Sequence, residues 1–246
     1  MQLKMEKILT QGILLVDKPT GVTSHRVVDW ARRLSGIKKV GHTGTLDPLA
    51  TGLLILLIGK DYTKQQDKYL KQDKTYLCTA KLGLTTDSYD IDGEVLNQEV
   101  WEKVSKITKN QLFDLIPEFR GEIVQRVPIF SAVKQQGKKL YELARLAKKD
   151  PEVKKQVDEL LQNLPSRDVN IYGLELTDFV VDNDKKEILF SFEVSCSSGT
   201  YIRSLAHDIG QKLGVGATVV SLRRTKIGNF SIDQVQMCPL FLKKRV

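Results

Sequence analysis

Cysteine and histidine are scarce in this chain, and long apolar runs are missing. Its three cysteines, Cys78, Cys196 and Cys238, stand far apart in 246 residues and form no CxxC pair. That spacing excludes a disulfide framework and a cysteine-based zinc site, and it reads as reduced thiols in a cytoplasmic protein. The three histidines, His25, His42 and His207, show no HExxH spacing, which argues against a metalloenzyme. There is no GxxxxGK[ST] and no GxGxxG, and Gly59-Lys60 runs into Asp61 instead of Ser or Thr. Nucleotide hydrolysis and dinucleotide redox chemistry are therefore not expected, and no cofactor is implied. The longest apolar run, Leu53 to Ile58, has six residues, and the N-terminus lacks a long apolar core with a small-residue cleavage site. Neither a membrane span nor a signal peptide is expected.

What is present is a basic chain of ordinary globular composition, 41% hydrophobic and 28% charged. Thirty-eight Lys and Arg against thirty Asp and Glu leave a formal charge of +8, which favours a polyanionic partner without proving one. Hydrophobic periodicity predicts strands at 13–17, 53–58, 75–83, 121–127, 168–181, 187–196 and 217–227. It predicts helices at 24–36, within 100–116, and at 138–149, 151–164 and 200–214, with 84–93 as a polar loop. The 24–36 helix has Thr23 or Ser24 near its N-cap, apolar residues at 27, 30, 31 and 34, and Gly36 as its stop. Segment 182–186 reads as a hairpin turn. Strands outnumber helices, so the expected class is α/β with a mixed, mostly antiparallel sheet.

The stretch 41-GHTGTLDPLATGLLILLIG-59 places one carboxylate, Asp47, between glycine-rich turns and a purely apolar run. An isolated Asp-Pro is most often a turn opener. Here Gly41, Gly44 and Gly52 permit close backbone approach, and the apolar run ties the loop to a buried strand. A carboxylate presented from so rigid a base suits a nucleophile or a general base.

GHTGTLDPLATGLL resembles the signature loop of the bacterial tRNA pseudouridine-55 synthases, the TruB type, nearly letter for letter. Other segments agree in order: 14-LLVDKPTGVTS-24, 74-KTYLCTAKLGLTTDSYDIDG-93, 125-QRVPIFSAVKQQGKKLYELAR-145, 196-CSSGTYIRSLAHDIG-210 and 221-SLRRTKIGNF-230. The resemblance spans about residues 12 to 230. It implies a pseudouridine synthase catalytic fold with a central sheet flanked by helices and a thumb insertion. It also implies an isomerase that detaches a uracil from its ribose, rotates it and rejoins it through carbon, without metal or cosubstrate. The expected substrate is the tRNA T stem-loop, at position 55, with no guide RNA or protein partner and a monomeric enzyme.

Carried over residue by residue, the resemblance gives Asp47 the role of nucleophile. Tyr76 in KTY would stack on the flipped uracil, and Arg203 in GTYIR would pair with the aspartate. Asp90 matches an acidic residue linked to that arginine, although an Asp in a DxDG loop is also a common turn former. His42 would help displace the target base, Leu222 would line the uracil pocket, and Tyr201 belongs to the same substrate-binding set. Lys64, Arg223 and Arg224 are candidate phosphate contacts. Lys18 and Pro19 in DKPTG would shape structure near the site.

Departures from the family pattern are also visible. Val127 stands where a second proline is usual, and Asp61 reads as an extra residue. A C-terminal RNA-binding domain of the PUA type is not expected, leaving 1–246 as one catalytic domain with a thumb-type insertion at about 121–165. Within it, 148–164 resembles an added helix with Val153, Val157, Leu160, Leu161 and Leu164 on one face. Lys148, Lys149, Lys154 and Lys155 gather at its start, either solvated or contacting phosphates. The alternatives to tRNA isomerisation are a tRNA-binding or tRNA-folding protein without catalysis, and a synthase for another RNA stem-loop.

Overall fold

A computed structural model describes residues 10–135 and 137–235. The described chain divides into two compact units, one formed by residues within 10–77 and 221–235 and the other by residues within 78–220.

In the first unit, Thr51–Ile58 is the central strand. Gly12–Lys18 pairs with it antiparallel from Gly12↔Ile58 to Lys18↔Gly52. Val40–His42 also pairs antiparallel with it, and Arg223 and Arg224 pair parallel with Thr51 and Gly52. Leu53 through Ile58 are all at most 1% exposed, which explains why the run is continuously apolar: a strand covered on both faces has no polar side to alternate with. Leu15, Leu53, Ile55, Leu57, Tyr69 and Ile227 form one core cluster. The helix Ser24–Ser35 starts and stops for local reasons. Thr23 Oγ1 accepts from Arg26 N, and Gly36, at φ 70°, donates its N–H to Arg32 O. Val27, Val28, Trp30 and Ala31 supply its buried stripe.

The second unit is built on the hairpin Ser166–Asp182 and Glu187–Cys196, with two register shifts, and on Gly121–Arg126 antiparallel to the start of Ser166–Asp182. Ile188, Phe190, Phe192 and Val194 are all 0% exposed, the period-two signature of a half-buried strand. The helix Ile202–Lys212 buries Ile202, Leu205, Ala206 and Ile209. Helices Leu140–Ala147 and Pro151–Gln162 close a separate cluster of Val127, Ile129, Leu140, Leu143, Ala144, Val157 and Leu164. Asp150 caps the second of these helices, accepting from Glu152 N and Val153 N, with Pro151 in its first turn.

The fold is thus α/β with a mixed and mostly antiparallel sheet, as the periodicity implied. Several elements differ from expectation. The 84–93 loop contains a strand, Leu84–Thr86, paired with Val95–Gln98, because the chain reverses through a turn at 87–94. The helix expected within 100–116 is split into Trp101–Val104 and Lys109–Leu115, since Thr108 and Gln111 form a capping box that starts a new helix. Short helices Lys60–Thr63 and Gln66–Leu70 carry too few residues to show periodicity, and they absorb Asp61. Leu161 is 39% exposed and leaves the apolar face assigned to it, whereas Val153 and Leu160 pack against the cluster. Cys78 and Cys196 are buried thiols outside any disulfide, and Cys238 lies outside the described residues. No described helix is long and apolar enough to cross a membrane.

Candidate active site

Asp47 is held through its neighbours. Ser24 Oγ accepts from Leu46 N at 2.8 Å and donates to Leu46 O at 3.0 Å. On the other side, Gly21 N donates to Pro48 O at 2.8 Å, Thr20 Oγ1 to Leu49 O at 2.9 Å, and Ala50 N to Asp47 O at 3.1 Å. Segment 18–24 therefore clamps the aspartate loop by its backbone on both sides of Asp47. Ser24 was a candidate N-cap in the sequence. Thr23 takes that position, and Ser24 turns to the loop instead.

Two buried cations complete the brace. Lys18, 0% exposed, donates Nζ to Pro19 O, to Val22 O at 2.6 Å and to Pro48 O at 3.3 Å. Three acceptors match the three donors of an ammonium. Burial pulls its pKa down to about 8, partly offset by the Asp47 carboxylate, so it is charged at neutral pH. Arg224, 1% exposed, donates Nε to Leu53 O at 2.8 Å and Nη2 to Gly44 O at 3.1 Å, with its guanidinium carbon 6.0 Å from the Tyr76 ring centroid. Gly52 is required here. At φ 100°, a Cβ on it would lie 2.2 Å from Arg224 O.

This geometry corrects the phosphate-contact expectation for Arg224, which is an internal brace. Arg223 is bidentate to Asp17, at 3.0 and 2.7 Å, so its guanidinium is committed to an internal ion pair. Lys64 is an exposed cation 3.6 Å from Asp61. Leu222 is buried, and its carbonyl accepts from Thr51 Oγ1 at 3.4 Å. Tyr76 is 8% exposed, on strand Lys74–Leu82. His42 ends the strand Val40–His42, and its carbonyl accepts from Gln66 Nε2 at 3.0 Å. Burial first, then the Arg224 and His25 charges, lower its pKa to about 4, so its ring is neutral at physiological pH.

Asp90, Tyr201 and Arg203 belong to the second unit. Arg203, 4% exposed, donates Nη1 to Ser88 O and Nη2 to Phe130 O at 2.8 Å, and its Nε lies 3.7 Å from Asp90 Oδ2. Asp90 Oδ1 accepts from Ser88 Oγ at 2.6 Å and from Asp92 N at 3.2 Å. Asp90 thus both holds the turn and pairs with the arginine. Tyr201 is gripped by Gln125, which accepts from Tyr201 N at 2.7 Å and donates to Tyr201 O at 3.0 Å, and Arg167 lies over its ring. Sequence reasoning passed over Ser88 and Gln125. Polar residues of these types in a turn and a strand carry no signal until the fold brings partners to them.

Lys148 also departs from expectation. Its Nζ lies 3.0 Å from Asp87 and 2.9 Å from Glu94, and 5.5 Å from the centre of the Phe130 ring. It is therefore a tether from the Leu140–Ala147 helix to the 87–94 turn. Lys149, Lys154 and Lys155 are exposed. Among the described residues no group of His, Cys, Asp and Glu could hold a metal ion.

Comparison with known proteins fits these motifs. The model of the TruB family pseudouridylate synthase N-terminal domain matches residues 32–202, and that of the tRNA pseudouridylate synthase B C-terminal domain matches 203–241. A tRNA pseudouridine synthase B of Clostridium tetani (strain Massachusetts / E88) is 45% identical over 90% of this chain and 69% of its own length. One from Chlamydia felis (strain Fe/C-56) is 43% identical over 92% of this chain and 86% of its own. Among solved structures, a chain of a Cbf5-Nop10-Gar1 complex aligns with a TM-score of 0.64 at 28% identity, covering 96% of this chain and 55% of that one. With the family model matched over more than half of its length, and with relatives this similar over most of theirs, the chain belongs to the TruB family of pseudouridylate synthases.

Proposed function

We propose that this enzyme converts uridine to pseudouridine in tRNA, in the T-arm at position 55, with Asp47 as the nucleophile. The observation that carries the reading is the clamp on the Asp47 loop, in which Leu46 and Pro48 are both fixed by segment 18–24. A carboxylate so held needs no reorganisation before it attacks a bound nucleotide. The target uridine is extruded from the RNA stack, its bond to ribose is broken, and the rotated base is rejoined through carbon. Tyr76 offers a ring face for the base, and Arg203 joins Asp47 in the catalytic set. The neutral His42 ring suits the gap left in the stack better than a phosphate contact, because a nearly uncharged imidazole gains little from an anion. Leu222 and Tyr201 complete the substrate set, with Lys64 as a phosphate contact. The net charge of +8 supports a polyanionic substrate. On this reading residues 1–246 act as one catalytic domain with a thumb at about 121–165, monomeric and cytoplasmic, without a guide RNA.

The test is incubation of purified protein with an unmodified tRNA transcript and with a minimal T-arm stem-loop, followed by chemical mapping of pseudouridine. Product at the single T-arm uridine of both substrates is expected. RNA that binds without reacting would leave a binding protein in place of an enzyme, and product elsewhere would overturn the T-arm assignment.

A further inference from the structure

We infer that Tyr89 and His207, stacked on one another, are positioning residues that fix the Arg203 guanidinium. The inference rests on the proposed place of Arg203 in the catalytic set.

Tyr89 stands at φ 63°, in the left-handed region. A bulky side chain rarely adopts that conformation, and such outliers persist where the surroundings over-determine them. Its two neighbours are both partners of Arg203. Ser88 offers its carbonyl to Nη1, and the Asp90 carboxylate lies 3.7 Å from Nε. The reversed φ at Tyr89 is thus the bend that brings a main-chain oxygen and the next side chain onto one guanidinium. The backbone is pinned around that bend, with Tyr89 N donating to Thr86 O at 3.3 Å, Val219 N to Tyr89 O at 3.0 Å and Ile91 N to Val219 O at 2.9 Å.

The Tyr89 ring stacks on His207 with centroids 3.9 Å apart and planes within 15°. His207 lies four residues after Arg203 in the helix Ile202–Lys212, so the two side chains share one helix face. One face of the helix therefore carries both the guanidinium and a ring, and the turn carries two of the three Arg203 partners and the matching ring. Stacking sets the turn against the helix, and the Ser88 hydrogen bond and the Asp90 ion pair to Arg203 follow from that register. The imidazole contributes as a flat neutral surface. Burial lowers its pKa, and its Nδ1 is buried with no hydrogen-bond partner among the described residues. A residue chosen only for the backbone bend would be glycine, and one chosen only for packing would not need the left-handed conformation. Tyr89 supplies both.

The test uses full-length protein and unmodified tRNA transcript, with single-turnover rate at saturating enzyme, tRNA Kd and thermal midpoint measured for each variant. Tyr89→Gly keeps the bend and removes the ring. It should lower the rate about tenfold or more while Kd changes by less than about twofold, because a misplaced group near the reacting atoms costs rate before binding. His207→Ala should do the same, and the double variant should be no slower than either single one. Tyr89→Phe and His207→Phe keep the stack and should stay within about twofold of the starting rate. These two also cover the case in which the truncated variants fold poorly. A Tyr89→Gly enzyme at full rate, or His207→Phe as slow as His207→Ala, overturns the inference. Failure of the functional reading is told apart by the unsubstituted protein, which would then form no pseudouridine. In that event protection of the Arg203 Nε–H from hydrogen exchange, followed by nitrogen-15 NMR, reports the positioning directly. It should be retained in Tyr89→Phe and lost in Tyr89→Gly, and equal protection in both overturns the pair.

Discussion

Around Asp47 the chain braces a carboxylate-bearing loop with two buried cations, whereas around Arg203 it braces a buried cation with backbone oxygens and a carboxylate. In the first region Lys18 and Arg224 direct their donors at carbonyls of Pro48, Val22, Leu53 and Gly44. In the second, Ser88 O, Phe130 O and Asp90 converge on Arg203. Similar residue types have opposite duties. Arg224 orders main chain, and main chain orders Arg203. A buried arginine in a sequence motif can thus be structural support or functional group, and only its partners distinguish the two.

The two regions are tested most sharply at the two charged side chains with proposed chemical roles. Asp47→Asn should abolish pseudouridine formation while tRNA affinity stays within a few-fold, since the amide keeps shape but cannot act as a carboxylate nucleophile. Full activity in that variant would remove the proposed mechanism. Arg203→Lys should lower the single-turnover rate on the order of a hundredfold, because an ammonium cannot meet Ser88 O, Phe130 O and the Asp90 carboxylate together as the planar fork of a guanidinium does. Its thermal midpoint should fall as well.

Arg224→Met separates a brace from a phosphate contact. Leaving Leu53 O and Gly44 O without donors should lower unfolding free energy by about 2–5 kcal/mol, read by denaturant titration. The salt dependence of tRNA binding should keep its slope in the folded fraction, and a flatter slope with unchanged stability would reinstate the phosphate contact. Changing Lys149, Lys154 and Lys155 together to Gln tests the thumb. If they touch RNA, the slope of log affinity against log salt should flatten by roughly 0.7–0.9 for each phosphate left without its lysine. Lys148 is left out because its partners are Asp87 and Glu94.

The last test is the pH dependence of stability set by His42. Its folded pKa of about 4 lies below the ordinary histidine value of 6.5. Between those values the unfolded chain binds the proton and the folded chain does not, so the stability contribution is complete above about 6.5 and falls as pH drops toward 4. His42→Gln should flatten the stability profile across that window, and an unchanged profile would show that the imidazole remains solvated.

Much of this was legible in residue order. The apolar run 53–58 announced a strand covered on both faces, and Thr23 and Gly36 announced both ends of a helix. The 41–54 motif put forward Asp47 as the candidate carboxylate, because a family loop is local in sequence. The split of 100–116 was harder to see, since one capping box within a periodic stretch outweighs the periodicity. Arg223, Arg224 and Lys148 read as candidate phosphate contacts because their partners, Asp17, Leu53 and Asp87, are far away in the chain.

The sequence by itself determined most of the longer strands and helices, the place of the candidate carboxylate Asp47, and which family the chain resembles. Each of these rests on contiguous patterns of polarity, turn residues and motif letters. Only the tertiary structure decided what the charged residues do. A guanidinium or ammonium takes its role from the oxygens within about 3 Å of it. Those oxygens, Gly44 O for Arg224 or Ser88 O for Arg203, are main-chain atoms that every residue possesses and that no sequence pattern marks.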